Sequence, residues 1–311
     1  MADADYNIPQ SKESNEILNT YRTISNKLKK RFLRKPNVTE ASEQFAALGT
    51  QCEQKELWPY AGFCWLAAAR CQATLGNNIA ETNFLTKAGR QFLIAEKKDE
   101  DIGCSSIGRE NFQAAVSCFG HSAARNSQLG FGIMSVSLAM ELAAASGPST
   151  AGVQHLKKAI SMHPFPKVID TLVSYFIKQD DYVAALQALN AFVEVIDNNI
   201  GIANVSTGNY VVVLHRCEVT RVLLLLILQP TPQRIPPSLA QVLEKYAWIE
   251  DGISAGPGMC EDEVLLLQSL VLACQSNDCQ ALLELEGDLW IYLDTQQKEL
   301  LRKLIQIMTT R

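Results

Sequence analysis

DDYVAALQALNAF, residues 180–192, shows in thirteen residues the packing logic of the whole chain. Tyr182, Leu186 and Leu189 recur at intervals of four and three, so they share one face of a helix and fill a core. Ala184, Ala185 and Ala188 are small enough to let a neighbouring helix approach closely. A rod that mixes bulky and small residues in this way is the unit of a helical-repeat stack, in which each element buries its face on the next.

Almost every other segment has the same helical period. Ile17, Tyr21, Ile24, Leu28 and Phe32 form one stripe in a first helix that Pro36 ends. Asn37 can cap the next helix, with Glu40 three residues on, and Val38, Ala41, Phe45 and Leu48 line one side of it. Pro59 suits the first turn of a third helix that stops near Gly76, and a fourth carries Phe84, Ala88 and Phe92 at intervals of four. Further helices are expected at 110–129, 132–145, 150–162, 166–179 and 181–197, then from about 210 to 229, up to Trp248, and at 261–276, 278–291 and 294–309. The β-branched run VVVL (211–214) leads without a breaker into HRCEVTRVLLLLILQ, so helix is favoured there on length.

Helix starts near 38, 59 and 80 give the rhythm of antiparallel pairs. The expected fold is all-α, a tetratricopeptide-like (SNAP-like) α-solenoid of about 12–13 antiparallel helices. The expected division is a disordered N-terminus (1–11), a helical-repeat region (12–196), a polar loop (197–209) and a C-terminal helical region of the same solenoid (210–311).

Hydrophobic residues make up 47% of the 311-residue chain, enough for a large core. The formal net charge is −5, but it is unevenly spread. Residues 1–35 hold eight Lys/Arg and four Asp/Glu, a net of +4, which leaves −9 on the remainder. From Tyr246 to Gln297 there is no Lys or Arg, while ten acids occur. Most of this surface would repel phosphate, so nucleic-acid binding is not expected; partners with patches of both signs fit better. The most apolar run, VLLLLIL (222–228), has seven residues where a membrane span needs about twenty, and reads as a buried helix rather than an insertion segment. MADADYNIPQSKES shows no export signature, so the nine cysteines are expected as reduced, largely buried thiols in the cytoplasm.

Sites of chemistry are scarce. His121, His155, His163 and His215 have no second ligand at metal spacing, and no phosphate-binding glycine motif or nucleophile elbow occurs. Glu261, Asp262 and Glu263 at a helix start answer the helix dipole before they suggest a cation site. The expectation is a non-enzymatic chain with no cofactor.

The dense basic block comprises Lys27, Lys29, Lys30, Arg31, Arg34 and Lys35. On the first helix the apolar stripe spans only about 80°, and the cations occupy nearly all the rest. Such a helix is not a membrane ribbon with a wide apolar face. A solvated face, a nuclear address and a protein docking surface all remain open for it. Leu33 falls among the charges, either spent on solvent or an anchor for something outside.

NKLKKRFLRKPNV (26–38), CEVTRVLLLLILQP (217–230), LEKYAW (243–248) and LLLQSLV (265–271) closely resemble segments of the forty-kilodalton huntingtin-associated protein family, also called factor VIII intron 22 proteins. The middle, about 75–205, resembles that family mainly in helical pattern. Mammalian members carry a long proline-rich insertion; only the 197–209 loop occupies that place here, as in an invertebrate-like member. The resemblance implies an all-helical adaptor in stable complex with huntingtin, a very large HEAT-repeat protein. It also implies a link to early endosomes through a Rab-family GTPase. A cytoplasmic chain, partly on endosomes and with a nuclear pool, is the corresponding expectation.

The docking residues expected are Lys27, Lys29, Lys30, Arg31, Leu33, Arg34 and Lys35 on the basic side. On the acidic side they are Glu261, Asp262, Glu263, Glu284, Glu286 and Asp288. The rival reading is a SNAP-like vesicle-trafficking adaptor with no obligate huntingtin partner.

Overall fold

The structure, a computed structural model, describes residues 9–29, 36–163, 165–200, 208–229, 237–247 and 258–310. Among these residues there are fourteen helices, against the twelve or thirteen expected, and no strand. The fold is an all-α solenoid. The chain forms two compact units, Met1–His163 and Pro164–Arg311. The division expected at 197–209 therefore lies inside the second unit, and residues 201–207 of that loop fall outside the described residues.

The first unit holds α1 (Pro9–Leu28), α2 (Val38–Gln54), α3 (Trp58–Leu75), α4 (Asn78–Asp101), α5 (Glu110–Gln128), α6 (Gly132–Ser146) and α7 (Thr150–Met162), each packed on the next. The first helix starts at Pro9, inside the segment expected to be disordered; residues 1–8 fall outside the described residues. The stripe read from the sequence is the stripe that packs. Ile17 and Ile24 are buried, and Tyr21 and Leu28 lean on the core of α2 and α3 that holds Phe45, Leu48 and Cys52. Asn37 caps α2, its Oδ1 accepting from the Glu40 N–H at 3.2 Å while its Nδ2 donates to the Glu40 carboxylate. Gly76 takes the left-handed conformation (φ 74°) that closes α3, and Asn77 then caps α4.

Antiparallel order shows in the side-chain bonds. Trp65 Nε1, early in α3, donates to Glu53 at the end of α2, and Gln72, late in α3, donates to Ser42 near the start of α2. Close approach depends on glycine. A Cβ on Gly62 would lie 2.7 Å from the Phe92 ring, and one on Gly89 would lie 2.2 Å from the Phe119 ring. Each aromatic ring thus fills a notch on the preceding helix, α4 into α3 and α5 into α4.

Arg109 organises the α4–α5 turn. It stands at the N-cap of α5 with φ 46°, stacks on the Phe112 ring, and its Nε donates to Glu96 at 2.7 Å. Glu96 is 5% exposed and also accepts the Phe112 N–H, so its buried charge is neutralised and hydrogen-bonded.

The second unit holds α8 (Pro166–Lys178), α9 (Tyr182–Ile200), α10 (Gly208–Leu228), α11 (Pro237–Ala247), α12 (Glu261–Ser276), α13 (Cys279–Leu289) and α14 (Thr295–Thr309). The VVVL run lies within α10, and the VLLLLIL run is buried as expected, Val222 to Leu225 at 1% exposure or less. In α9, Ala185, Leu186, Leu189 and Phe192 are buried, while Tyr182 is only half-buried and donates its hydroxyl to Asp180.

The last helix returns to α10. Arg216 bridges Asp170 of α8 at 2.6 Å and Asp294, the α14 cap, at 2.7 Å. Gln297, 4% exposed, completes a capping box with Asp294 and donates to the Arg216 carbonyl and Thr220 Oγ1. The proline-rich stretch 230–236 and the connection 248–257 fall outside the described residues.

Candidate interaction surfaces

The two charged surfaces lie in different units, so each is built up separately. At the end of α1, narrow apolar packing leaves the cations outward. Lys27 is exposed and donates to Gln44 Oε1 at 3.2 Å, and Lys29 is exposed just beyond the helix. Lys30, Arg31, Leu33, Arg34 and Lys35 fall outside the described residues.

The acidic residues separate by helical phase. Glu261 and Asp262, in the first turn of α12, are exposed. Glu263 is not available to a partner: it is 3% exposed and its carboxylate meets His215 Nε2 of α10 at 2.7 Å. That corrects the docking role expected of Glu263, whose carboxylate is spent on His215. The reason is periodicity, because Glu263 shares its stripe with Leu267 and Leu270, both fully buried. On α13, Glu284 is exposed and accepts from Gln280, Glu286 is half-buried and pairs with Arg302 at 3.4 Å, and Asp288 is exposed.

Two of these acids converge. Asp262 and Asp288 flank a groove of about 490 Å³ between α12 and the end of α13, with Leu265, Leu266, Ile291 and Tyr292 on its walls. Leu265 is 58% exposed and Ile291 79%. An acidic rim around uncovered aliphatic side chains suits a partner surface that is apolar at its centre and basic at its edge. The apolar half of this surface was missed in the sequence, although Leu265 stands off the buried stripe of α12; Ile291 lies in the turn that follows α13.

Apolar side chains are also uncovered at one end of the first unit. Leu75 and Ile79 at the α3–α4 turn and Phe131, Ile133 and Met134 at the α5–α6 turn are each at least 46% exposed. Arg125 of α5 pairs with Glu81 in the first turn of α4 at 3.3 Å, which places these turns at the same end.

No group of three or more His, Cys, Asp or Glu able to hold a metal ion occurs among the described residues. No helix among them is long and apolar enough to cross a membrane. Burial pushes the Cys118 and Cys274 thiols up to about 11 and Cys217 to about 12, so at neutral pH they are packing groups rather than nucleophiles.

No protein-family model matches the chain. Two known proteins are similar to it along nearly its whole length, both called 40-kDa huntingtin-associated protein. The mouse (Mus musculus) protein is 34% identical over 354 aligned positions, covering 94% of this chain and 93% of the relative. The rat (Rattus norvegicus) protein is 33% identical with the same coverage. The alignment is longer than the 311-residue chain, so the relatives carry residues with no counterpart here.

Proposed function

The chain belongs to the 40-kDa huntingtin-associated protein family, and on that premise we propose that it is a non-enzymatic adaptor subunit in stable complex with huntingtin. The observation that carries the reading is likeness at 34% identity across 94% of the chain, because a surface spread over many helices survives only if the whole stack does.

The grip follows from the surfaces above. Cations at the end of α1, Lys27 and Lys29 followed in sequence by Lys30, Arg31, Arg34 and Lys35, face an acidic partner surface with Leu33 as an apolar anchor. The α12–α13 groove, rimmed by Asp262 and Asp288, takes a basic-edged apolar surface elsewhere on the same partner. Charge guides encounter and register, and apolar burial supplies most of the affinity. Rim charge pairs contribute about 0–1 kcal/mol each, so the aliphatic contacts dominate. Within this reading the chain is cytoplasmic, and a link to early endosomes runs through a Rab-family GTPase.

The test is capture of huntingtin by a variant in which Lys29, Lys30, Arg31 and Arg34 are all changed to Glu. Capture falls, more at low salt than at high, while helical content is kept. Undiminished capture at low salt removes the basic block from the mechanism.

A further inference from the structure

The groove between α1 and α2, of about 800 Å³, has a composition that neither charged surface shares. Its floor is apolar, formed by Ile24 and Leu48, both buried. Its walls carry side-chain amides, Asn15 and Asn19 from α1 and Gln51 from α2. All three are exposed, and none makes a side-chain hydrogen bond among the described residues.

A carboxamide offers a donor and an acceptor side by side, the pair that a peptide unit requires. Asn15 and Asn19 stand one turn apart, about 6 Å along the axis at 1.5 Å per residue. Alternate residues of an extended chain repeat at about 6.6–6.8 Å, so successive amides meet successive outward-facing peptide units. The groove also has polarity. Glu16 lies toward one end and Lys27 toward the other, about 16 Å apart along α1, a distance an extended chain covers in about five residues. The Lys27 ammonium is held by Gln44 Oε1 at 3.2 Å.

We propose that this groove binds an extended peptide segment of a partner protein, with a basic side chain at Glu16 and an acidic one about five residues away at Lys27. Asn15, Asn19 and Gln51 bond the peptide backbone, and small apolar side chains of the segment lie over Ile24 and Leu48. The groove shares Lys27 with the basic surface at the end of α1 but none of its other lining residues, and its direct binding readout does not depend on huntingtin capture.

The test uses the full chain and a fluorescein-labelled, end-blocked hexapeptide, lysine-alanine-valine-alanine-valine-aspartate, followed by anisotropy. A second peptide carries lysine at both ends. The wild-type chain binds the first peptide about tenfold more tightly than the second, and Lys27→Glu inverts that preference. Asn19→Leu with Gln51→Leu weakens the first peptide about tenfold with no loss of helical signal, because both positions are exposed.

No saturable binding up to about 1 mM peptide overturns the proposal, as does a preference that Lys27→Glu leaves unchanged. Binding seen only after removal of residues 1–8 assigns the groove to the chain's own N-terminal segment and overturns it too.

Discussion

Replacing Gly89 by Ala adds one methyl group where α4 meets the Phe119 ring of α5. Its Cβ would stand 2.2 Å from Phe119 Cε1 and 2.4 Å from Cδ1, where carbon atoms pack at about 3.5–4.0 Å. The ring must therefore retreat by more than about 1 Å. It is 1% exposed and backed by Phe112, Leu138 and Leu142, so it has nowhere open to go. Overpacking of this kind costs about 1–3 kcal/mol, while the better helix propensity of alanine returns about 1 kcal/mol.

Gly120→Ala is the matched control. That position is exposed, inside α5, with nothing within 4 Å of the added Cβ, so only the propensity gain of about 0.5–1 kcal/mol applies. Urea unfolding of the full chain, followed by circular dichroism, should separate the two variants by about 1–3 kcal/mol, the overpacking cost alone because the propensity gain is common to both, with Gly120→Ala above the parent and Gly89→Ala below it. Adding Phe119→Leu to Gly89→Ala should cost less than the sum of the single changes. Equal midpoints for the two glycine variants would refute the notch packing.

Other consequences are open to measurement. Arg109→Ala leaves the buried Glu96 carboxylate with only the Phe112 N–H; it should lose about 2–4 kcal/mol in thermal unfolding, and adding Glu96→Gln should recover part of it. Glu263→Gln weakens the contact with His215 and should lower stability by about 1–2 kcal/mol, yet leave partner capture per folded molecule unchanged. Ile291→Ser with Leu265→Ser removes uncovered apolar surface, so the melting temperature should hold. Capture should weaken by about tenfold or more, given about 1.5–3 kcal/mol for a fully buried aliphatic side chain.

Most of the fold is legible in the chain because the apolar residues follow one period over long windows. α7 (Thr150–Met162) and α12 (Glu261–Ser276) match the expected 150–162 and 261–276 to the residue, since Ser149 and Asn277 mark the ends with cap chemistry. The separation of compact units after His163 was not legible, because it reflects which distant helices touch rather than any local signal, and the turn there is as short as its neighbours. Glu263 was readable and was missed: counting four and seven residues onward reaches Leu267 and Leu270, which mark its face as inward. The notches were also written in the sequence, with 30 residues separating Gly62 from Phe92 and again Gly89 from Phe119. The pairing of Asp262 with Asp288 around Ile291 was beyond reach, because it joins two helices through a turn whose geometry no spacing reveals.

Sizing of the native complex bears most directly on the adaptor reading. The tagged chain is purified from native extract under mild salt, and the eluate is resolved by size and weighed for stoichiometry. One very large companion, huntingtin, is expected at a fixed ratio, with little chain left unbound. A chain that elutes alone while huntingtin is present in the extract, or that travels with a varied set of vesicle proteins at no fixed ratio, contradicts it.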